Sequence, residues 1–333
     1  MKKTLKIALN ILTFLLIIGL GYYMVHSMMS GEKTAPSDVE NRNSTFVSPY
    51  KQTNRLDAAS KIRGFAISEN TIYAALSDKV SVFDLSGQHQ RDFAIKADVR
   101  DIRVEETTIY LLYPTSIDLY SLEGKIKDGW KACSAHADYC SLTSTQDYVF
   151  VTDAEDKLIC QFDKQGKPVR FIKSPEGFII PSYAFDIIQI NDTLYCSNSG
   201  RHRVESYTPE GKFIASFGVA GTQAGAFAGC CNPVYLEKSA DGNILTSEKG
   251  IPRISCYGKD GTFRTVLFDS NTLGGGTSAC EMHVSGENIY IANGKTISVY
   301  SRDVACNVST EKSCAGCEAE CPLRKEVKKY TKE

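Results

Sequence analysis

"ILTSEKGIPRISCYGKDG", residues 244–261, is the stretch on which the fold turns. An apolar start, Ile244 and Leu245, runs into a polar turn around Gly250. A second segment carries Ile254 and closes on the aromatic Tyr257, with Gly261 four residues beyond. Short runs of β-branched and aromatic residues bounded by Gly, Asp and Ser read as paired strands. An aromatic followed four residues later by glycine marks a hairpin whose turn takes a residue at positive φ.

Working outward, the same unit recurs as "TIYAALSDKVSVFDLSG", "TIYLLYPTSIDLYSLEG", "YVFVTDAEDKLICQFDKQG", "LYCSNSGRHRVESYTPEG" and "IYIANGKTISVYSRD". The closing aromatics are Phe83, Tyr120, Phe162, Tyr207, Tyr257 and Tyr300, spaced 37, 42, 45, 50 and 43 residues apart. Glycine stands four residues on at Gly87, Gly124, Gly166, Gly211 and Gly261, and Val304 takes its place in the sixth copy. Repeats of this length with several strands each are the sign of propeller blades, so the expectation is an all-β, six-bladed β-propeller over residues 57–303. Immunoglobulin-like repeats would each need a core of their own, for which these are too short.

Two of the repeats, "GRHRVESYTPEGKFIASFG" and "DGNILTSEKGIPRISCYGKDGTF", resemble NHL repeats, whose usual run is Tyr-Val-x-Asp-x-x-Asn-x-Arg followed by a strand ending in Phe or Tyr. Tyr195, Asn198, Arg203 and Arg253 fall on this pattern, with Asn198 and Glu248 in the place of its Asp and Arg201 and Ile251 in the place of its Asn. The match is good in the fourth and fifth repeats and weak in the first, second and sixth. The resemblance implies six blades, and a binding platform more often than an enzyme. A minority of such propellers are lyases or lactone hydrolases that place His, Asp, Glu or Asn with a divalent metal in the channel.

Composition narrows the function classes. The chain has 333 residues and a formal charge of −1, with no basic field for nucleic acid. Tyr and Phe number 17 and 15 against one Trp, Trp130, as suits a sheet protein. At the N-terminus, Lys2, Lys3 and Lys6 precede an uncharged stretch from Ile7 to Ser30, long enough to cross a bilayer as a helix. Residues 1–30 therefore read as a transmembrane signal anchor with its lysines cytoplasmic, which puts the propeller on the periplasmic side of the plasma membrane. A cleaved signal peptide is the alternative. Residues 31–56 read as a tether whose later part, "STFVSPY", is a candidate edge strand, and residues 304–333 as a cysteine-rich tail. A protein partner at the membrane is expected.

Twelve cysteines carry the chemical question. The pair Cys230 and Cys231 sits in a loop enlarged between "GAF" (Gly225, Ala226, Phe227) and Pro233. Counting back ten residues from the second-strand aromatic of each repeat, or its equivalent, reaches Arg63, Arg100, Cys140, Phe185, Tyr235 and Cys280. Equivalent repeats would bring Cys140, Cys230, Cys231 and Cys280 to one channel mouth as metal ligands, with Arg63 and Arg100 binding ligand beside them. Four thiolates can hold zinc or an iron–sulfur cluster. Disulfides between neighbours compete with that reading, although vicinal cysteines rarely bond to each other because the ring is strained. His136 and His283, each three residues from such a cysteine, are further candidate ligands. Cys306, Cys314, Cys317 and Cys321, followed by Pro322, resemble the end of a bacterial ferredoxin run with a longer first spacing, a second candidate cluster site. Cys160, Cys196 and Cys256 read as core side chains. Three functions follow: a membrane-anchored binding module with a cysteine-based redox or metal site; a disulfide-stapled scaffold for protein or glycan; or a metal-dependent hydrolase or lyase on the channel.

Overall fold

The computed structural model of the protein describes Thr13 and residues 46–303. The chain divides into two units, Met1–Val47 and Ser48–Glu333, and the blades lie in the second. The expected membrane anchor and the tail cysteines Cys306, Cys314, Cys317 and Cys321 lie outside the described residues. Among the described residues no helix is long and apolar enough to cross a membrane.

Six four-stranded antiparallel sheets make a six-bladed propeller. The first blade is β2 (Gly64–Ser68), β3 (Thr71–Ala75), β4 (Lys79–Asp84) and β5 (His89–Ala94). The second is β6 (Asp101–Glu105), β7 (Thr108–Tyr113), β8 (Ser116–Ser121) and β9 (Ile126–Lys131). The third is β10 (Tyr139–Ser144), β11 (Tyr148–Asp153), β12 (Leu158–Asp163) and β13 (Pro168–Ile172). The fourth is β14 (Ile187–Ile190), β15 (Thr193–Asn198), β16 (Arg203–Tyr207) and β17 (Phe213–Phe217). The fifth is β18 (Tyr235–Lys238), β19 (Ile244–Glu248), β20 (Arg253–Tyr257) and β21 (Phe263–Phe268). In the sixth, β22 (Glu281–Ser285), β23 (Asn288–Asn293) and β24 (Thr296–Arg302) are completed by β1 (Tyr50–Asp57), which pairs antiparallel with β24 from Tyr50↔Arg302 to Asp57↔Thr296. One blade thus takes strands from both ends of the repeat region and closes the ring. The closing strand begins at Tyr50, where the candidate edge strand "STFVSPY" ends.

The repeat's aromatic and glycine have one structural task. Phe162 is fully buried and stacks on Trp130, a residue of the preceding blade's outer strand, at 5.9 Å. Tyr120 meets Phe93, Tyr257 meets Phe217 and Tyr300 meets Phe268 in the same relation. Gly166 has φ +77°, and its N–H donates to the Asp163 carbonyl. A Cβ on Gly166 would stand 2.4 Å from Trp130 ring atoms. Gly124, at φ +84°, would likewise meet Phe93 at 2.3 Å. The glycine is therefore required twice, by backbone conformation and by the neighbouring blade.

The NHL-like positions hold loops. Arg253, buried in β20, donates to both Glu248 carboxylate oxygens, at 2.7 and 2.9 Å, and reaches the carbonyls of Thr222 and Ala226. Arg203 pairs with Glu205 at 3.0 Å and Glu176 at 2.9 Å, while the Asn198 side chain accepts from the Ile179 N–H and donates to the Gly177 carbonyl. Each arrangement fixes the chain ahead of an inner strand.

Candidate functional site

The inner strands β2, β6, β10, β14, β18 and β22 begin at one end of the channel, and most of its polar groups converge there. Three carboxylates clasp one blade to the next. Asp101 accepts from the Leu142 N–H at 2.9 Å and from the Ser141 hydroxyl at 3.1 Å. Asp186, just ahead of β14, accepts from the Leu236 N–H at 2.6 Å, and its other oxygen stands 2.5 Å from Ser141 Oγ. Glu281 accepts from the Phe65 N–H at 3.2 Å, across the junction where the ring closes. Blades two, four and six supply the carboxylates; three, five and one supply the amides.

Two cations lie among them. Arg103 contacts Asp101 at 3.1 Å and the Nε2 of His283 at 3.3 Å. His283 Nδ1 is 2.7 Å from Glu237, and its Nε2 is 3.5 Å from Glu281, with Phe65 packed edge-on at 4.5 Å. Burial works against the imidazolium, but its bonds to Glu237 and Glu281 prevail and carry His283 up to about 9. Burial pushes the Asp186 carboxyl up to about 6, against the pull of Arg103. Arg103 loses hydration too, yet Asp101, Asp186, Glu237 and Glu281 hold its guanidinium above its ordinary range. The imidazole is thus charged near neutral pH, an available proton donor and not a base.

Two cavities open onto this cluster and share Val234, Tyr235 and Glu281 in their walls. One, of about 240 Å³, is lined by Arg100, Arg103, Cys140, Tyr183, Asp186 and His283 among others. The other, of about 600 Å³, carries Lys61, Arg63, Lys249 and Asn293. Arg100 pairs with Asp138 at 3.3 Å, and its guanidinium lies 5.4 Å from the centre of the exposed Tyr183 ring. Ser182 and Tyr183 both hold positive φ, 59° and 58°, an uncommon backbone for two successive non-glycine residues.

The counted positions separate here. Arg63 and Arg100 line the two cavities, and so does Cys140, whose thiol burial pushes up to about 12. Cys280 does not join them. It is 4% exposed and packs with Leu267, Phe268 and Tyr300 between the fifth and sixth blades. Cys140 lies within β10, beside a register irregularity between Tyr139 and Leu142, whereas Cys280 lies just ahead of β22. Cys230 and Cys231 lie together, with sulfurs 2.9 Å apart, while Cys140 packs against the core between the third and fourth blades and Cys280 in that between the fifth and sixth. All eight described cysteines are free thiols, and among the described residues no group of three or more His, Cys, Asp or Glu is placed to hold a metal ion. Cys160, Cys196 and Cys256 are buried in blade cores, and His136 is exposed in a loop.

Asp101, Arg103, Asp186, Glu237 and Glu281 were not singled out by the sequence reading. Their signal lay one residue further on. The residue after each counted position is Asp101, Asp186 or Glu281 in alternate repeats, and the third residue after is Arg103 or His283.

Fold and site together define a six-bladed propeller with a buried charge cluster at one end of its channel. No protein-family model matches the chain, and no curated protein matches it in sequence. Solved structures do match in fold. Virginiamycin B lyase from Staphylococcus aureus superposes with a TM-score of 0.56 at 14% identity, over 76% of this chain and 99% of that one. A catalytically inactive form of the same lyase with quinupristin gives 0.54 at 12%, over 76% and 99%. A Bacteroides thetaiotaomicron protein of unknown function gives 0.58 at 15%, over 76% of this chain and 74% of that one. At these identities the likeness is one of fold.

Proposed function

We propose that this chain is a membrane-tethered, extracytoplasmic propeller of NHL-like repeats that binds a small anionic ligand at its channel mouth, with Arg63 and Arg100 in the site. The observation that carries the reading is the cavity of about 600 Å³, in the size range of small-molecule sites, into which Lys61, Arg63 and Lys249 converge. Among the described residues Lys61 and Arg63 have no salt-bridge partner, so their charge is available to a ligand. The uncharged run from Ile7 to Ser30 behind three lysines supports the tether. A thiolate cluster or zinc centre is left to Cys306, Cys314, Cys317 and Cys321, and metal analysis of the full-length protein checks it.

The test is thermal unfolding of the full-length protein against a panel of small carboxylates and phosphates. A ligand at a hundred times its Kd stabilises by about 2.7 kcal/mol. The expected result is a rise in Tm with some members of the panel that Arg63→Ala abolishes and Arg100→Ala weakens. Stabilisation indifferent to both substitutions places the ligand elsewhere, and no stabilisation by any member removes the anion reading.

A second reading rests on His283, a charged imidazole lining the smaller cavity. A hydrolase or lyase on the channel would use it as a proton donor. Turnover of a lactone panel that His283→Ala abolishes without unfolding the protein favours this reading.

A further inference from the structure

Among the eight described cysteines only Cys230 is exposed, and its neighbour Cys231 is 1% exposed. Their sulfurs, 2.9 Å apart, are already closer than two unbonded thiols normally rest. The loop that carries them is pinned on both flanks. Asn232 donates to the carbonyls of Ala228 and Lys249 at 2.5 and 2.8 Å and accepts from the Lys249 N–H at 2.9 Å. The Gly229 carbonyl lies 2.5 Å from His202 Nε2. Burial disfavours a thiolate on Cys231, but hydrogen bonds from Cys230, Lys249 and Ser182 outweigh it and lower its pKa; Cys230 is raised by the same coupling. The pair is thus differentiated, with one thiol in reach of solvent and the other shielded and stabilised as its anion.

We propose that Cys230 and Cys231 form a thiol–disulfide exchange site whose co-reactant is an external disulfide. Cys230, the thiol in reach of solvent, gives up its proton as its sulfur attacks one sulfur of the incoming disulfide. This forms a mixed disulfide and releases the first thiolate, which takes up a proton. Cys231, whose Sγ lies 3.9 Å from Ser182 Oγ, then gives up its proton and attacks the Cys230 sulfur. The vicinal disulfide closes, and the second sulfur leaves as a thiolate that takes up the proton given up by Cys231. Two cysteine thiols are oxidised, one external disulfide is reduced to two thiols, and no other electron carrier enters. A disulfide between adjacent residues closes a strained eight-membered ring, and strained, exposed disulfides are the readily reduced ones. The site therefore runs reversibly and does not act as a staple. It borders both cavities without lining either: Cys231 Sγ is 3.9 Å from Ser182 Oγ in the wall of one, and Lys249 belongs to the other. The inference does not depend on what those cavities bind.

The experiment is peptide mass spectrometry of the reduced full-length protein after incubation with oxidised glutathione, acid quench and alkylation. The expected wild-type peptide spanning both residues is lighter by two hydrogen atoms and carries no alkyl group, and dithiothreitol restores it. Cys231→Ser should trap glutathione on Cys230, while Cys230→Ser should leave Cys231 unmodified. A wild-type peptide alkylated at both sulfurs after oxidant treatment overturns the proposal. So does a Cys231→Ser protein, folded by circular dichroism, that holds no more glutathione than wild type.

Discussion

At the scale of single residues, His283 is the group whose surroundings say most. It has Glu237 at Nδ1 and both Glu281 and Arg103 at Nε2, so two carboxylates outweigh one guanidinium and the loss of hydration. A folded-state value near 9 against an ordinary 6.5 makes its protonation a source of stability. That contribution is fully present below pH 6.5 and is lost as pH rises through 9. A shift of this size corresponds to about 3 kcal/mol. Urea unfolding at pH 6.5 and 9 should show wild type losing stability of this order while His283→Gln loses little of it. An equal loss in both proteins would assign the pH dependence to other groups. Asp186 acts in the same direction at lower pH. Its raised value, about 6 against 3.8, means that its ionisation between those values weakens the fold.

At the scale of the element, the hairpin ending in aromatic-x-x-x-glycine is the unit that was legible in the chain. Tyr257 and Gly261 announced a strand end and a positive-φ turn, and they have both. What could not be read was the second duty of the glycine, because the atoms that forbid a side chain belong to another blade. Trp130 covers Gly166 and Phe93 covers Gly124, from outer strands 36 and 31 residues earlier. Gly166→Ala should therefore cost more than a turn substitution does, about 2–4 kcal/mol from backbone strain and overpacking combined. Trp130 is the sole tryptophan, so its fluorescence reports the junction directly. An unchanged emission maximum together with an unchanged Tm would show that the contact carries no such cost.

At the scale of the whole molecule, the ring is held by one strand crossing between ends. β1 covers the edge of β24, and Leu56 packs with Ile297 and Val299 in the core at the junction with the first blade. Without β1, the sixth blade exposes an unpaired edge, and such edges seek other chains. A chain beginning at residue 58 should lose its cooperative thermal transition or aggregate, whereas one beginning at residue 46 should unfold as the intact propeller does, as followed by far-ultraviolet circular dichroism. Equal transitions in both would show that five complete blades and three strands suffice.

Blade number came from periodicity, which is a local property of a chain. Arg63 and Arg100 were within reach too, since the start of an inner strand can be counted. The charge cluster was not, because Asp101, Asp186 and Glu281 are spaced by whole blades and meet only when the ring closes. Cys140 and Cys280 make the same point from the other side. Equal counts reach both, yet one thiol stands in a cavity wall and the other is packed between two blades against Leu267, Phe268 and Tyr300, neighbours that no count within a single repeat reveals. Strand identity follows from the residues of the strand itself. Which face a side chain presents, and what it meets there, follows from pairing and closure, which only the assembled ring decides.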